Sequence, residues 1–320
     1  MKREDVQSIL IIGIAGGLAE STYRMLEKEY PDAMIYGVDS RNKKFVAKKK
    51  SFIFLKMQYT RNNFEELFRN NRFDVVYHLG RIPNNVLNPL SDHNKRAKFY
   101  VVGTNIILDL CQKFGTKKVI VLSTLYVYGS LPDNPVFLNE DSILRASLKY
   151  PEIREVVEKD RLATNWMWKN QNSISTIILR PCHIIGKNIN NAFVQYLKAE
   201  HMPVPMDYNP MIQFIDQEDM GRVLVSCIEK IPLGIYNVAP DDFISIGEAK
   251  SILGIKPVRI PFFILLPFTG IARRLGYLVP DYLIDHLKYS TLLENNSLKK
   301  YIGEVFFKFN VRSALKNLIS

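Results

Sequence analysis

The sequence predicts an α/β fold, a Rossmann-type doubly wound parallel sheet with a small C-terminal substrate lobe. Through the first half, short and strongly apolar runs alternate with segments of helical periodicity, as expected for strands buried on both faces by intervening helices. The first apolar run ends in a glycine-rich turn, and the second ends in an aspartate. That pairing, with the acid roughly twenty residues beyond the turn, is the spacing of a dinucleotide site.

The elements follow in order. "SILIIG" is the first strand and "LAESTYRMLEKEY" the helix after it. "AMIYGVD" and "FIFLKM" are the next strands, and "NNFEELFRNN" is a helix whose Asn62 and Glu65 predict a capping-box start. "DVVYHLG", a helix from about 92 to 114, and "KKVIVLST" complete the regular half. A loop rich in Pro, Asp and Asn then leads to Tyr150, and Pro151 suits the first turn of the helix that follows. "SISTIILRP" is a further buried strand. "MIQFIDQEDMGRVLVSCIEK" and "GIYNVA" form a strand–helix–strand run, and "SIGE", with Ser245 three residues before Glu248, opens a late helix. The expected division assigns residues 1–181 plus 212–238 to an NAD(P)-binding domain and 182–211 plus 239–320 to the small lobe.

The chain has 320 residues, 47% of them apolar and 11% aromatic, so it can bury a large core and is not a disordered chain. Its three cysteines are far apart and predict a reduced, cytoplasmic protein. The five histidines lack metal-ligand spacing, so no metal is expected. The charged start and short first apolar run do not read as a signal peptide, and no run is long enough for a membrane span.

A net charge of +11 comes from scattered clusters such as "RNKKFVAKKK", "NKRAK" and "GTKKV". No nucleic-acid motif accompanies them, so a solvated surface is the expectation and nucleic acid is not an expected partner. Attraction to an anionic substrate or to an acidic membrane face is the functional alternative. "PFFILLPFTGIARRLGYLVPDYL" could form amphipathic helices meeting lipid, with Arg273 and Arg274 at head-group level; ordinary packing of the lobe is preferred.

In "GIAGGLAE", Gly13, Gly16 and Gly17 allow a tight turn, with backbone N–H groups aimed at a pyrophosphate from a helix N-terminus. Asp39 suits the adenosine ribose hydroxyls and favours NAD, because a carboxylate repels a 2′-phosphate. Arg41, Lys43 and Lys44 follow closely and keep NADP open.

With "GIAGGLA", "VVYHLG", "VVGTN", "VIVLSTLYVYG", "IILRPCHIIG", "MIQFIDQEDMGRVL" and "GIYNVAP" in this order, the chain resembles the extended short-chain dehydrogenases, the NAD-dependent epimerase/dehydratase superfamily. The resemblance spans nearly the whole chain. It implies that Gly13, Ala15, Gly16, Gly17 and Leu18 lie at the pyrophosphate, and Asp39, Ser40 and Arg41 at the ribose. Leu79, Gly80 and Arg81 would run along the cofactor, Thr124 would hydrogen-bond the reacting oxygen, and Pro181, Cys182 and His183 would wall the nicotinamide. Ala19 replaces the last glycine of the turn, Arg81 stands where small apolar residues are usual, and Tyr100 where the pattern has Asn.

That superfamily uses Tyr-x-x-x-Lys, the lysine holding the ribose and lowering the tyrosine pKa. Lys159 lies where the lysine belongs, but Glu155 stands in the tyrosine position. A shifted pairing of Tyr150 with Arg154 fits the spacing less well. An exposed ion pair between Glu155 and Lys159 is the plain structural reading; against it, Leu162 and Trp166 mark one face of the helix as buried. Beside Lys159, Glu155 would be a poor proton donor. Members that dehydrate sugars carry an acidic pair where this chain has Leu125 and Tyr126, which argues against dehydration and makes Tyr126 the candidate phenol. Packing under the loop is the other role open to Tyr126.

These features resemble an atypical branch of the superfamily. The expected activity is an oxidoreductase or epimerase reaction at a hydroxyl or carbonyl of a nucleotide-sugar-like or lipid-like metabolite. In it Thr124 orients the oxygen, Lys159 holds the ribose, and Tyr126 or water relays the proton. The rival is a catalytically silent NAD(P)-binding regulator or scaffold, and a homodimer is left open.

Overall fold

The computed structural model describes residues 1–43, 51–80, 97–200, 203–264 and 280–319. Seven parallel strands form the central sheet: β1 Ser8–Ile12, β2 Met34–Asp39, β3 Phe52–Lys56, β4 Val75–His78, β5 Lys118–Leu122, β6 Ser175–Pro181 and β7 Gly234–Val238. Their spatial order is β7-β6-β5-β4-β1-β2-β3. Ile9 of β1 lies opposite Ile35 on one side and Val75 on the other.

Alternation along each strand splits the core between the two faces. Ile9, Ile11, Val75, Tyr77, Ile120, Ile177 and Leu179 face one way, and Leu10, Ile12, Val76, Val119, Val121 and Ile178 the other. Helix α1 (Gly17–Glu29) covers the first face; α2 (Arg61–Asn70), α3 (Gly103–Lys113) and α4 (Arg154–Asn170) cover the second. A π-helical turn, Lys98–Val102, leads into α3. β3 departs from the expectation of full burial: Phe52 to Leu55 are only half-buried, because this strand is an edge.

The remaining elements lie beyond the central sheet: α5 (Ala192–Lys198), α6 (Gln217–Ser226), α7 (Ile246–Ile252), α8 (Asp281–His286), α9 (Asn296–Ile302) and α10 (Val311–Ile319). α6 packs on α1, completing the cover of the first face. Among the described residues four two-stranded pairs accompany them, including 183–185 with 214–216 and 137–138 with 292–293. Gln213 stitches the late chain together, donating to the carbonyls of Pro240 (2.9 Å) and Leu293 (3.2 Å) and accepting from the Leu293 N–H at 2.7 Å.

Two local expectations change. Thr60, not Asn62, caps α2, its hydroxyl accepting from Asn63 N–H at 3.4 Å. Within the "GTKKV" cluster, Lys118 is buried and donates to the carbonyls of Cys227, Ile228 and Ile231 at 2.7, 2.9 and 3.0 Å. Those carbonyls close the C-terminal end of α6, where a cation is favoured. Ser245 caps α7 as expected. The three cysteines are free and buried. Among the described residues no helix is long and apolar enough to cross a membrane. Arg273 and Arg274, with most of their apolar segment, lie outside the described residues.

Candidate active site

Parallel strands present all their C-terminal ends on one side. Gly13 follows β1, Asp39 ends β2, Leu79 and Gly80 follow β4, Thr124 follows β5, and Pro181 ends β6. The order reverses between β1 and β4, the switch point at which ligands of open α/β sheets bind.

Gly13 has φ +90°, and a Cβ on it would lie 2.6 Å from Gly80 Cα. Only glycine serves there, and the turn after β1 rests directly on the end of β4. Gly17 has a different constraint: its Cβ would fall 1.9 Å from the Asn188 carbonyl oxygen. Close approach of the segment after strand 183–185 thus demands that glycine. α1 begins at Gly17 with Gly16 as its cap residue, leaving first-turn N–H groups for an anion. Leu18 turns its side chain into the core.

Asp39 is 8% exposed and fully engaged. One oxygen accepts from Arg41 N–H (3.0 Å) and Nε (2.9 Å), the other from Arg41 NH2 (2.9 Å) and Ala15 N–H (3.1 Å). Burial alone would raise its pKa, but the Arg41 side chain and backbone hold it below the ordinary carboxylate value. The Arg41 side chain that engages both carboxylate oxygens is itself 49% exposed. Ser40 is exposed beside it, and Arg81 lies outside the described residues.

Under Leu79 and Gly80, His78 Nε2 lies 2.9 Å from Thr104 Oγ1 and 3.3 Å from the Tyr59 hydroxyl. Burial pushes the His78 pKa well down, with Lys159 adding to the effect. Lys159 is 4% exposed, sits over the Tyr100 ring and donates to the Leu122 carbonyl at 3.0 Å. Glu155 is equally buried, so these two residues do not form the exposed pair expected of a solvated helix face. Among the described residues, Leu122 O is the one hydrogen-bond acceptor of the Lys159 ammonium, which carries three donors. Burial lowers its pKa to about 8.

A buried network fixes the helix that carries Lys159. Next in sequence, Asp160 accepts from Arg180 Nε (3.1 Å) and NH2 (2.7 Å) and from the Ser123 hydroxyl. Arg180 also donates to the Tyr128 hydroxyl at 3.1 Å, and Tyr128 to Asn237 at 2.7 Å. Tyr150, the shifted-register candidate, is buried and donates to Asp285 at 2.7 Å.

Thr124 Oγ1 accepts from Tyr126 N–H at 3.4 Å, capping a 3₁₀ turn over 125–127. That turn aims Tyr126 at the late chain. Its hydroxyl lies 3.1 Å from His183 Nδ1, and its ring meets those of Tyr282 (4.8 Å) and His286 (4.9 Å). His183 stacks on Phe193 at 3.9 Å, and burial together with His286 pushes its pKa well down. Cys182 is buried, its N–H tied to Val238 O at 2.9 Å. Sequence reasoning missed the Asp160–Arg180 pair, Thr104, Tyr282 and His286. Arg180 beside Pro181 was the one readable signal, since an arginine inside an apolar strand needs a buried partner.

The model of the NAD dependent epimerase/dehydratase family matches residues 9–239. The chain belongs to that family. An uncharacterised protein of Mycobacterium tuberculosis is 23% identical over 241 residues, covering 74% of this chain and 63% of that relative. The match therefore spans less than two thirds of the relative's length. Among solved structures, UDP-glucose 4-epimerase of Thermotoga maritima with UDP-glucose has TM-score 0.74 at 17% identity, covering 98% of this chain and 97% of that one. The dTDP-glucose 4,6-dehydratase of Bacillus anthracis in complex with NAD has TM-score 0.74 at 15% identity, covering 98% and 95%. At these identities the likeness is one of fold. The residues of this family member fit its cofactor: a glycine cradle against Gly80, a helix N-terminus, an acid closing β2, and a buried ammonium with donors to spare at the end of β5.

Proposed function

We propose that the chain binds NAD across the β1/β4 switch point and interconverts a hydroxyl and a carbonyl on a nucleotide-sugar-like metabolite, as an oxidoreductase or epimerase. The first turn of α1 receives the pyrophosphate, and Asp39 takes the ribose diol once Arg41 yields. Displaced Arg41 stays close enough to accept a 2′-phosphate, so NADP is a second cofactor to test. When bound, NAD supplies the hydride acceptor. Lys159 holds the nicotinamide ribose, and Thr124 orients the reacting oxygen. Pro181, Cys182 and His183 border the nicotinamide side.

Tyr126 exchanges the proton with the reacting oxygen, and His183 Nδ1 holds the phenol in place. Leu125 and Tyr126 offer no acidic pair for dehydration. Residues 182–211 and 239–320 supply the substrate side, since Tyr282 and His286 reach Tyr126 from there. The buried free thiols support a reduced, cytoplasmic setting.

The observation that carries the proposal is Lys159, a buried ammonium held at Leu122 O with two donors unspent among the described residues. The test is titration with NAD(H) and NADP(H), followed by turnover assays on UDP-glucose, dTDP-glucose and a wider metabolite panel. Absence of binding to either cofactor overturns it. With turnover in hand, Tyr126→Phe should suppress it more than Glu155→Gln, and the reverse order removes Tyr126 from its role. The burial of Glu155 favours one rival, a cofactor-binding protein without turnover. Cofactor binding with no conversion of any panel member would establish that rival.

A further inference from the structure

His286 ends α8, beyond the residues matched by the family model, and is 3% exposed. Its Nδ1–H donates to the Tyr282 carbonyl at 2.7 Å, because a carbonyl can only accept. That bond fixes the tautomer of the neutral ring and leaves Nε2 as a bare acceptor. Among the described residues Nε2 has no hydrogen-bond partner. A buried acceptor in that condition is costly and calls for a ligand or a function. The Tyr126 and His183 ring centroids lie 4.9 and 5.9 Å from the His286 ring centroid, so the bare nitrogen belongs to the same aromatic cluster as the Tyr126 ring.

We propose that His286 Nε2 accepts a hydrogen bond from a substrate hydroxyl next to the one that reacts, making His286 a specificity-determining residue for a polyhydroxylated, glycosyl-type substrate. This rests on the reading that the substrate meets Tyr126. A neutral acceptor cannot pair with a phosphate oxygen or carboxylate, and it gains nothing from an aliphatic chain. It needs an O–H or N–H donor, and a sugar-like substrate carries several hydroxyls beside the reacting one, whereas an aliphatic chain carries none. The Tyr126 ring, half-buried against Tyr282 and His286, supplies apolar surface for the C–H face of a sugar ring. Burial brings the His286 pKa down to about 4, so the ring stays an acceptor at neutral pH.

The experiment uses the full chain with NAD present. UDP-glucose and the UDP-deoxyglucoses lacking the 2-, 3-, 4- or 6-hydroxyl are titrated into wild type, His286→Phe and His286→Gln. In wild type, one deoxy analogue should bind roughly tenfold or more weakly than UDP-glucose, the usual effect of leaving a buried acceptor unpaired. In His286→Phe, UDP-glucose should fall to that level and the same analogue lose nothing further. His286→Gln, whose amide oxygen can accept, should recover part of the loss. Equal losses for all five ligands, or none, overturn the assignment.

Nitrogen NMR of histidine-labelled wild type gives a readout independent of the variants. The Nε2 signal should be that of a free lone pair with NAD alone and shift on adding UDP-glucose. A signal already hydrogen-bonded before the sugar is added, or unmoved when UDP-glucose binds, overturns this inference while cofactor binding stands. Failure of NAD itself to bind overturns the functional reading beneath it, and failure of UDP-glucose to bind with NAD present overturns the ligand class.

Discussion

Lys159 is a cation held where water cannot solvate it, and its burial has a consequence that can be titrated. Its pKa is lowered from 10.5 to about 8 by desolvation. The unfolded chain keeps this proton up to its higher pKa, so between about 8 and 10.5 the unfolded state binds more protons than the folded one. Stability therefore gains from this group as pH rises through that window. Cofactor binding runs the other way, because the neutral amine loses a charge-assisted bond. NAD affinity is expected to weaken as pH rises from 7 through 9, and Lys159→Met to lower it by about tenfold or more at pH 7. In that variant the pH dependence over this range should flatten, as read by calorimetric titration; an unchanged slope removes Lys159 from the cofactor. At this scale the sequence was informative wherever geometry is local. Gly13, Asp39 and Lys159 could be read from spacing along the chain. His286 could not, because its meaning comes from Tyr126 and His183, which only the folded chain brings beside it.

Helix α4 shows why a charge run misleads. "EVVEKDR" looks like a solvated face, yet Glu155, Lys159 and Asp160 are all buried. Lys159 and Asp160 find their partners on the neighbouring strands, at the Leu122 carbonyl and the Arg180 guanidinium. Alternation of apolar positions identifies a buried face only when the residues on it are apolar. A buried, bidentate pair gives little net stability over a well-packed apolar substitute, but losing one partner strands the other charge. Arg180→Met is therefore expected to cost about 3–5 kcal/mol, leaving Asp160 charged and unpaired. The double variant with Asp160→Leu should be more stable than Arg180→Met alone. Chemical denaturation of the three proteins checks this, and a double variant no better than the single one would show that the pair does not act as a unit. Since Asp160 adjoins Lys159, Arg180→Met should also weaken NAD binding even in the fraction that stays folded.

For the whole molecule, legibility follows element length. The seven parallel strands announce themselves as continuous apolar runs, and the glycine turn and the aspartate mark the ends of the first two. The late chain is built from strand pairs of two or three residues and helices mostly under eight residues, too short for a period to emerge. Its cohesion comes instead from buried polar clamps such as Asp219. It is wholly buried in α6, and its two oxygens accept the Lys308 and Phe309 N–H groups, each at 2.9 Å, with Arg222 alongside. Those two residues lead into α10, which lays the buried Val311, Leu315 and Leu318 against the strand 214–216 region. Asp219→Ala leaves two backbone donors unpaired, each costing about 1–3 kcal/mol. If the late chain is a separable lobe, hydrogen exchange should accelerate over 306–319 while β1, β4 and β5 remain protected. NAD affinity should then change little, because the glycine turn, Asp39 and Lys159 lie on other elements, while substrate turnover falls as the neighbouring packing loosens. Uniform acceleration across the sheet and α10 would instead make the molecule one cooperative unit, with no boundary between a cofactor domain and a substrate lobe.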